Sequence, residues 1–205
     1  MTKVKICGLK NSEHVEAAVQ AGVDFIGFMF APSKRRITVE EAINLATLIP
    51  TEVKKVGVFV NETPETIVQI AQQVGLDYIQ YHGDETPEMI AQIGLPAIKA
   101  FSIRSKEDAV RAAQYDVDFY LFDAPGTDYR GGSGNSFDWM LLDDVKIPLE
   151  KVILAGGLNA ENVGLAIALV EPFAVDVSSG VEVDGQKDVE AIATFIENAK
   201  GEFIL

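Results

Sequence analysis

Short runs of β-branched and aromatic residues alternate with longer amphipathic segments along the chain, and this alternation constrains the fold more than any other feature. Each short apolar run predicts a strand, because its length and composition suit a buried position in a sheet. Eight strands are predicted, at Val4–Cys7, Phe25–Phe28, Lys55–Val60, Tyr78–Tyr81, Ala97–Phe101, Phe119–Asp123, Val152–Ala155 and Ala174–Val177.

The segments between the strands predict helices with recognisable ends. Thr38 and Thr63 are typical N-cap residues, and Pro64 occupies a first helical position, where its missing N–H costs nothing. Gly22 is a typical stop signal. The predicted helices are Ser12–Ala21, Val39–Ile49, Pro64–Val74, Thr86–Ile93, Ser105–Ala113, Asp138–Leu142, Ala160–Leu169 and Asp188–Ala199.

Eight successive strand–helix units predict parallel strands joined by right-handed crossovers. Closing such a sheet removes its exposed edges. We therefore predict an α/β fold in which residues 1–205 form a single-domain (β/α)8 TIM barrel with eight parallel strands. An open, doubly wound sheet is the alternative that the pattern leaves.

Composition narrows the possible partners and the compartment. The formal net charge of −14 argues against nucleic-acid binding, which needs a basic face. A single cysteine excludes an internal disulfide and is typical of a reducing cytoplasm. The N-terminal residues lack the long apolar stretch of a signal peptide, and no run reaches the roughly 20 apolar residues of a membrane helix. We expect a cytoplasmic protein with no membrane partner.

Barrel enzymes place their active sites at the carboxyl ends of the strands and in the loops that follow. Because side chains alternate along a strand, Cys7 lies on the inward face of the first strand together with Lys3 and Lys5. The same alternation turns His82, after the fourth strand, towards the mouth of the barrel.

Two of these strand ends carry candidate acid–base groups. Cys7 is followed by Gly8, and its thiol is a candidate general base if its surroundings lower its pKa from about 8.5. A small buried hydrophobe is the ordinary alternative for a free cysteine. Asp123 ends the sixth strand after an apolar run, where a partly desolvated carboxyl suits a general acid. A loop-capping aspartate is its alternative.

Two glycine-rich and serine-rich loops late in the chain indicate a phosphate site. Gly156-Gly157 follows the seventh strand and Ser178-Ser179-Gly180 follows the eighth, and we expect a helix to open near Asn159. Glycines let backbone N–H groups approach an oxyanion, a helix N-terminus adds a favourable dipole, and this pair of loops is the recurrent phosphate site of barrels. Ordinary turn glycines are the alternative.

Two further loops have candidate roles. The dense positive patch Lys34-Arg35-Arg36 follows the second strand, and an arginine there can clamp an anion, although a solvated loop is equally compatible with it. The segment Tyr129–Gly134 after the sixth strand is a candidate lid.

Seven segments of the chain resemble the phosphoribosylanthranilate isomerase family of tryptophan biosynthesis. They read KICGL, SKRRI, GVFVN, QYHG, GGSGNSFDW, GGLNAENV and FAVDVSSGVE, and the resemblance runs from Lys3 to near Lys200.

The resemblance implies an Amadori rearrangement of N-(5-phosphoribosyl)anthranilate to 1-(2-carboxyphenylamino)-1-deoxyribulose 5-phosphate, with no cofactor and no metal. It also implies that Cys7 is the base, Asp123 the acid and Arg35 the anthranilate-binding arginine. The implied substrate-binding residues are Arg35, His82, Gly156, Gly157, Asp176, Ser178, Ser179 and Gly180.

Three positions leave questions open. Tyr81 stands where the family usually has leucine, Ala124 follows the acid where a threonine is more frequent, and Arg36 adjoins Arg35, so the clamp has two possible registers. By parity Tyr81 faces the helices and should matter little to the site.

Two kinds of rival remain. A sister phosphate-binding barrel would need catalytic lysines at strand ends or a second aspartate in place of Cys7. The other rival is a non-catalytic phosphate-binding barrel that senses a phosphorylated metabolite. The sequence leaves the oligomeric state, monomer or homodimer, undecided.

Overall fold

Eight parallel strands form a closed barrel, in which each strand pairs with its neighbours in sequence and the first pairs with the last. The computed structural model describes residues 1–124, 139 and 147–201. The strands are β1 (Lys3–Cys7), β2 (Phe25–Met29), β3 (Lys54–Phe59), β4 (Tyr78–Tyr81), β5 (Ala97–Ser102), β6 (Phe119–Asp123), β7 (Val152–Leu154) and β8 (Ala174–Val177). The predicted barrel is thus confirmed, each strand end lies within one residue of the prediction, and the open sheet is excluded.

Seven helices occur among the described residues, and local sequence signals explain their ends. The Thr38 side chain accepts a hydrogen bond from the N–H of Glu41, whose carboxylate accepts one in return. Gly75 ends its helix with a left-handed backbone at φ 71°. The helices are α1 (Ser12–Gln20), α2 (Val39–Ala46), α3 (Pro64–Val74), α4 (Pro87–Ile93), α5 (Lys106–Ala112), α6 (Val163–Val170) and α7 (Val189–Lys200). None of them combines the length and apolar character needed to cross a membrane.

The sixth helix begins three residues later than predicted, and one predicted helix lies beyond the described residues. The α6 helix starts at Val163 because the chain first makes a turn in which the Asn159 carboxamide oxygen accepts from the N–H groups of Glu161 and Asn162. A side chain that bonds to nearby backbone in this way competes with helix formation. The predicted helix Asp138–Leu142 falls outside the described residues, apart from Trp139.

Alternation along the strands separates two apolar clusters. Val4 and Ile6 belong to the cluster between the sheet and the helices, whereas Phe25 and Ala174 belong to the cluster inside the barrel. The buried Lys5 reaches Asp176, which has the same parity as Ala174, so the inward face of β1 is the predicted one. This parity carries the side chain of Cys7 towards the mouth.

A small hairpin after β8 was not predicted. It pairs β9 (Glu182–Val183) with β10 (Gln186–Lys187), and its turn residues Asp184 and Gly185 have positive φ angles of 49° and 76°. Aspartate–glycine is the preferred sequence for such a two-residue turn. The hairpin brings Glu182 and Lys187 to the mouth of the barrel.

Candidate active site

The barrel mouth gathers the predicted acid and base from two strands. Cys7 ends β1 and Asp123 ends β6, and each is buried, at 4% exposure. Around the closed sheet these strands are separated by β7 and β8. Both groups therefore lie at the carboxyl ends of the barrel strands, where enzymes with this architecture bind their substrates.

His82 lies between Gln80 and Asp123. The amide Nε2 of Gln80 lies 3.2 Å from His82 Nδ1, and because this amide nitrogen only donates, Nδ1 accepts and the ring proton occupies Nε2. His82 Nε2 lies 3.5 Å from Asp123 Oδ2. This separation is within ion-pair distance but lacks hydrogen-bond geometry, so Nε2 has no hydrogen-bond partner among the described residues. His82 Nε2 thus lies within ion-pair distance of the predicted acid, without a hydrogen bond to it.

The surroundings of Cys7 act on its pKa in opposite directions. Burial raises the pKa of the thiol, whereas the ammonium groups of Lys5 and Lys187 lower it, and the carboxylate of Asp176 raises it further. The net direction is upward. The lowered pKa that was the condition for a base is therefore not found in the protein without substrate, because desolvation outweighs the two nearby cations.

Asp176 lies inside the barrel at 9% exposure, and its Oδ1 accepts a hydrogen bond from Lys5 Nζ at 2.8 Å. Lys5 and Asp176 stand directly opposite each other on β1 and β8. The predicted substrate-binding aspartate thus already has a partner, which its neighbouring strand supplies.

Of the two arginines of the positive patch, Arg35 is the one at the site. Its aliphatic chain packs on Gly8, where an added Cβ would lie 2.7 Å from Arg35 Cδ. Arg35 Nε donates to Glu182 Oε1 at 2.5 Å, and Lys34 Nζ donates to Glu182 Oε2 at 2.9 Å. Arg36 is exposed. Arg35 is therefore the arginine of the patch that lies beside Gly8, and its contact with the substrate stays a prediction.

Glu182 forms the centre of a cluster of charges. Burial alone would raise the pKa of this carboxyl, but the hydrogen bonds from Arg35 and Lys34 lower it to about 2. Lys187 Nζ lies 3.3 Å from Glu182 Oε1 and donates to the carbonyl oxygen of Ser178 at 2.6 Å. Burial lowers the pKa of Lys187 to about 8, against the attraction of Glu182. These groups line part of a cavity of about 250 Å³ that also contacts Gly8.

The two glycine-rich loops lie against each other at the mouth. A Cβ on Gly180 would overlap the carbonyl oxygen of Leu158, so the β7 and β8 loops touch through their backbones. Gly156 has φ 85°, and a Cβ there would overlap the backbone nitrogen of Ala124, the residue after the acid. Close packing on Gly156 is therefore the role that the structure gives Ala124. Ser178 Oγ donates to the carbonyl oxygen of Cys7 at 3.1 Å and links the end of β8 to the end of β1.

Sequence reasoning missed the roles of Glu182, Lys187 and Lys5. The aspartate–glycine pair at 184–185 is a hairpin signal that would have placed the first two near β8. Parity did turn Lys5 inward, but its partners depend on closure of the barrel. The predicted lid Tyr129–Gly134 lies outside the described residues. Residues 131–138 of the GGSGNSFDW segment also lie outside them.

Comparison with known proteins gives one consistent family. The family model for N-(5'-phosphoribosyl)anthranilate (PRA) isomerase matches residues 4–198. A relative from Listeria welshimeri named N-(5'-phosphoribosyl)anthranilate isomerase is 48% identical over 198 residues, which cover 97% of this chain and 98% of the relative.

Solved structures agree with this match. Monomers of the dimeric phosphoribosylanthranilate isomerase of Thermotoga maritima superpose with a TM-score of 0.86 at 41% identity, covering 98% of this chain and 100% of theirs. A phosphoribosylanthranilate isomerase in complex with reduced 1-(o-carboxyphenylamino)-1-deoxyribulose 5-phosphate has a TM-score of 0.85 at 40% identity, with the same coverage. The chain therefore belongs to the N-(5'-phosphoribosyl)anthranilate isomerase family.

Proposed function

We propose that this chain performs the isomerisation for which its relatives are named, converting N-(5-phosphoribosyl)anthranilate to 1-(2-carboxyphenylamino)-1-deoxyribulose 5-phosphate, with Asp123 as general acid and Cys7 as general base. The reaction is an aldose–ketose isomerisation, specifically an Amadori rearrangement, in the biosynthesis of L-tryptophan. The observation that carries the proposal is the presence of both groups at strand ends of one barrel mouth, in a chain that matches the family from residue 4 to 198.

Ring opening needs an acid. Asp123 donates its proton to the ribose ring oxygen, the C1′–O bond breaks, and the anilino nitrogen supplies the electron pair that forms a Schiff base. The carboxyl becomes a carboxylate in this step. The Nε2–H of His82, 3.5 Å away, is placed to stabilise that carboxylate once the gap closes to hydrogen-bond distance.

Formation of the ketone needs a base. The Cys7 thiolate removes the proton from C2′, which gives an enolamine, and tautomerisation of the enolamine gives the ketose. Burial raises the pKa of Cys7 because it disfavours the charged thiolate. The cations near the sulfur oppose this effect and decide how much thiolate is present at neutral pH. Each proton transfer is typically worth about 10²–10⁴ in rate.

Binding of a substrate that carries both a carboxylate and a phosphate by an acidic protein needs local positive charge. The formal net charge is −14. At the mouth, however, three cationic side chains surround the single carboxylate of Glu182, namely Arg35, Lys34 and Lys187. We assign Arg35 to the anthranilate carboxylate, since its Nε holds Glu182 and its terminal nitrogens suit a bidentate clamp. The touching loops at Gly156-Gly157 and Ser178–Gly180 are the proposed phosphate site.

A non-catalytic barrel that senses a phosphorylated metabolite is the second candidate. It would keep the phosphate loops without needing an acid and a base. The burial of both Cys7 and Asp123 at the mouth favours the enzyme, because a sensor gains nothing from these groups.

The test is turnover of freshly made phosphoribosylanthranilate without metal or cofactor, followed by loss of anthranilate-type fluorescence. The parent chain should turn over, and Cys7→Ala and Asp123→Asn should each lower kcat by about 10²-fold or more with little change in KM. A folded parent chain without turnover would refute the isomerase and leave the sensor. Near-normal kcat in either variant would remove that residue from its role.

We further propose a cytoplasmic location and a monomer or homodimer. A chain with a single free thiol is typical of a reducing compartment, which supports the location. The dimeric Thermotoga maritima relative supports a homodimer, and sedimentation of the purified chain decides between the two states.

A further inference from the structure

Lys5 is a fully buried lysine inside the barrel, two residues before Cys7 on the same inward face of β1. Burial of an ammonium costs several kcal/mol unless anionic or polar groups surround it. The apolar residues lining the barrel interior, such as Val56 and Leu121, offer none. A lysine at this position therefore needs specific partners.

Two groups provide them. Asp176 lies directly opposite on β8 and accepts a hydrogen bond from Lys5 Nζ at 2.8 Å. The second group is the Cys7 side chain, which interacts electrostatically with Lys5. Both side chains lie against Gly27 on β2, since a Cβ there would lie 2.8 Å from Cys7 Sγ and 3.2 Å from Lys5 Nζ. The sulfur and the ammonium are thus neighbours over a glycine that has no side chain to separate them.

Among the described residues, the charges facing Cys7 come from three elements. Lys5 on β1 and Lys187 on β10 are cations, Asp176 on β8 is an anion, and β2 contributes only Gly27 next to Cys7. Although burial alone would lower the pKa of Lys5, Asp176 and Cys7 raise it, so the ammonium is charged at neutral pH. Lys5 is also the largest of the influences that oppose the desolvation of Cys7.

We propose that Lys5 is a positioning residue of the catalytic base: its buried ammonium, anchored on Asp176, pairs with the Cys7 thiolate and sets the fraction of Cys7 that is ready to take the proton from C2′. This inference rests on the proposed role of Cys7 as base. It gives Asp176 a role as well, since that carboxylate holds the ammonium in place rather than contacting the substrate.

The experiment uses the fact that Cys7 is the only cysteine in the chain. The ultraviolet absorbance of the thiolate, measured against pH and corrected with the Cys7→Ala variant, reports this one group and cancels the tyrosines. Lys5→Met keeps the length of the side chain and removes its charge. It should move the thiolate midpoint up by at least about one pH unit, since an opposite charge at contact typically shifts a pKa by 1–3 units.

Lys99→Met is the matched control. Lys99 is also buried, at 2% exposure, and its Nζ lies 3.3 Å from Glu85 Oε2, but it belongs to the opposite face of the sheet from the barrel interior. Its loss removes a buried ion pair without removing a charge beside Cys7, so the midpoint should stay in place. An equal upward shift in Lys99→Met, or an unshifted midpoint in Lys5→Met, overturns the proposal.

Folding and turnover are controlled separately. Lys5→Gln keeps a donor for Asp176 and replaces Lys5→Met if that variant does not melt cooperatively. In the turnover assay the acid limb of the kcat/KM profile, which reports the free enzyme, should move by the same amount as the thiolate midpoint. Turnover by the Lys5 variant with an unshifted acid limb refutes the role of Lys5. If the variant's thiolate midpoint shifts but the parent chain itself shows no turnover, the proposed isomerase is refuted and the Lys5–Cys7 pair stands.

Discussion

His82 Nε2 lies 3.5 Å from Asp123 Oδ2, and both side chains are at most 10% exposed. Gln80 donates to the other ring nitrogen, which leaves the imidazole proton on Nε2, the nitrogen within ion-pair distance of the carboxyl group. In the proposed reaction, this N–H favours the carboxylate that remains after Asp123 has given up its proton. The pair therefore joins the end of β4 to the end of β6 across the intervening β5.

Replacing His82 by phenylalanine should lower kcat while KM changes little. The ring shape remains, but the N–H that stabilises the Asp123 carboxylate is lost, and a hydrogen bond to a charged group is worth about 1.5–3 kcal/mol, or roughly 10- to 100-fold in rate. The turnover assay measures this directly. In an Asp123→Asn background the same change should have almost no further effect, and independent losses in the double variant would show that His82 does not act through Asp123.

Stability should fall in acid through Glu182. Its pKa is about 2 in the folded chain and about 4.3 when unfolded, so the stabilisation is complete above the unfolded value and is lost as the pH falls towards 2. The difference corresponds to at most about 3 kcal/mol. Glu182→Gln should lower Tm at neutral pH and flatten its dependence between about pH 5 and 2. As a control, Glu150→Gln at an exposed position should leave the curve of Tm against pH unchanged. A Glu182→Gln curve that runs parallel to that of the parent chain would show that the ion pairs of Glu182 contribute nothing.

The sequence predicted the barrel well because its signals are local. Short β-branched and aromatic runs act within a few positions, and they located each strand end within one residue. The same parity turned Cys7 and Lys5 inward. These inferences needed no knowledge of which strands are neighbours.

The electrostatics of the site could not be predicted in this way. The pairing of Lys5 with Asp176 joins residues 171 positions apart and depends on the closure of β1 onto β8. The direction of the Cys7 pKa depends on a balance between burial and charges from three elements. Glu182 lies in a short hairpin whose effect on Arg35 is visible only once the loops are assembled.

Ligand affinity should weaken above about pH 8 through Lys187. Burial lowers the pKa of this ammonium to about 8, so its charge is present below that pH and is lost above it. The loss leaves Glu182 less neutralised beside Arg35, which disfavours an anionic ligand. Binding of reduced 1-(o-carboxyphenylamino)-1-deoxyribulose 5-phosphate, followed by calorimetry, should weaken about tenfold between pH 7 and 9.

Lys187→Met is the test of this assignment. The variant should bind the same compound weakly at pH 7 and should show no inflection near pH 8, because the titrating group is gone. An inflection that persists in the variant would assign the effect to another group.

Replacing Tyr81 by phenylalanine should stabilise the fold. The Tyr81 side chain is completely buried in the cluster between sheet and helices, and its hydroxyl has no hydrogen-bond partner among the described residues. Burial also raises the pKa of this phenol, as expected for a group that water does not reach. Leaving a buried hydroxyl without a partner costs about 1–3 kcal/mol, so removing the oxygen should raise the free energy of unfolding by about 1 kcal/mol or more.

Tyr120→Phe is the matched control for this prediction. Tyr120 is buried in the same cluster, but its hydroxyl donates to the carbonyl oxygen of Tyr115 at 2.6 Å, so the same change should destabilise by about 1 kcal/mol. Urea unfolding of the parent chain and the two variants measures both effects. Opposite signs would confirm that the Tyr81 hydroxyl is a cost to the fold, while a loss of stability in Tyr81→Phe as large as that in Tyr120→Phe would reveal a partner that holds it. Because Tyr81 faces the helices, kcat should be unchanged in its variant.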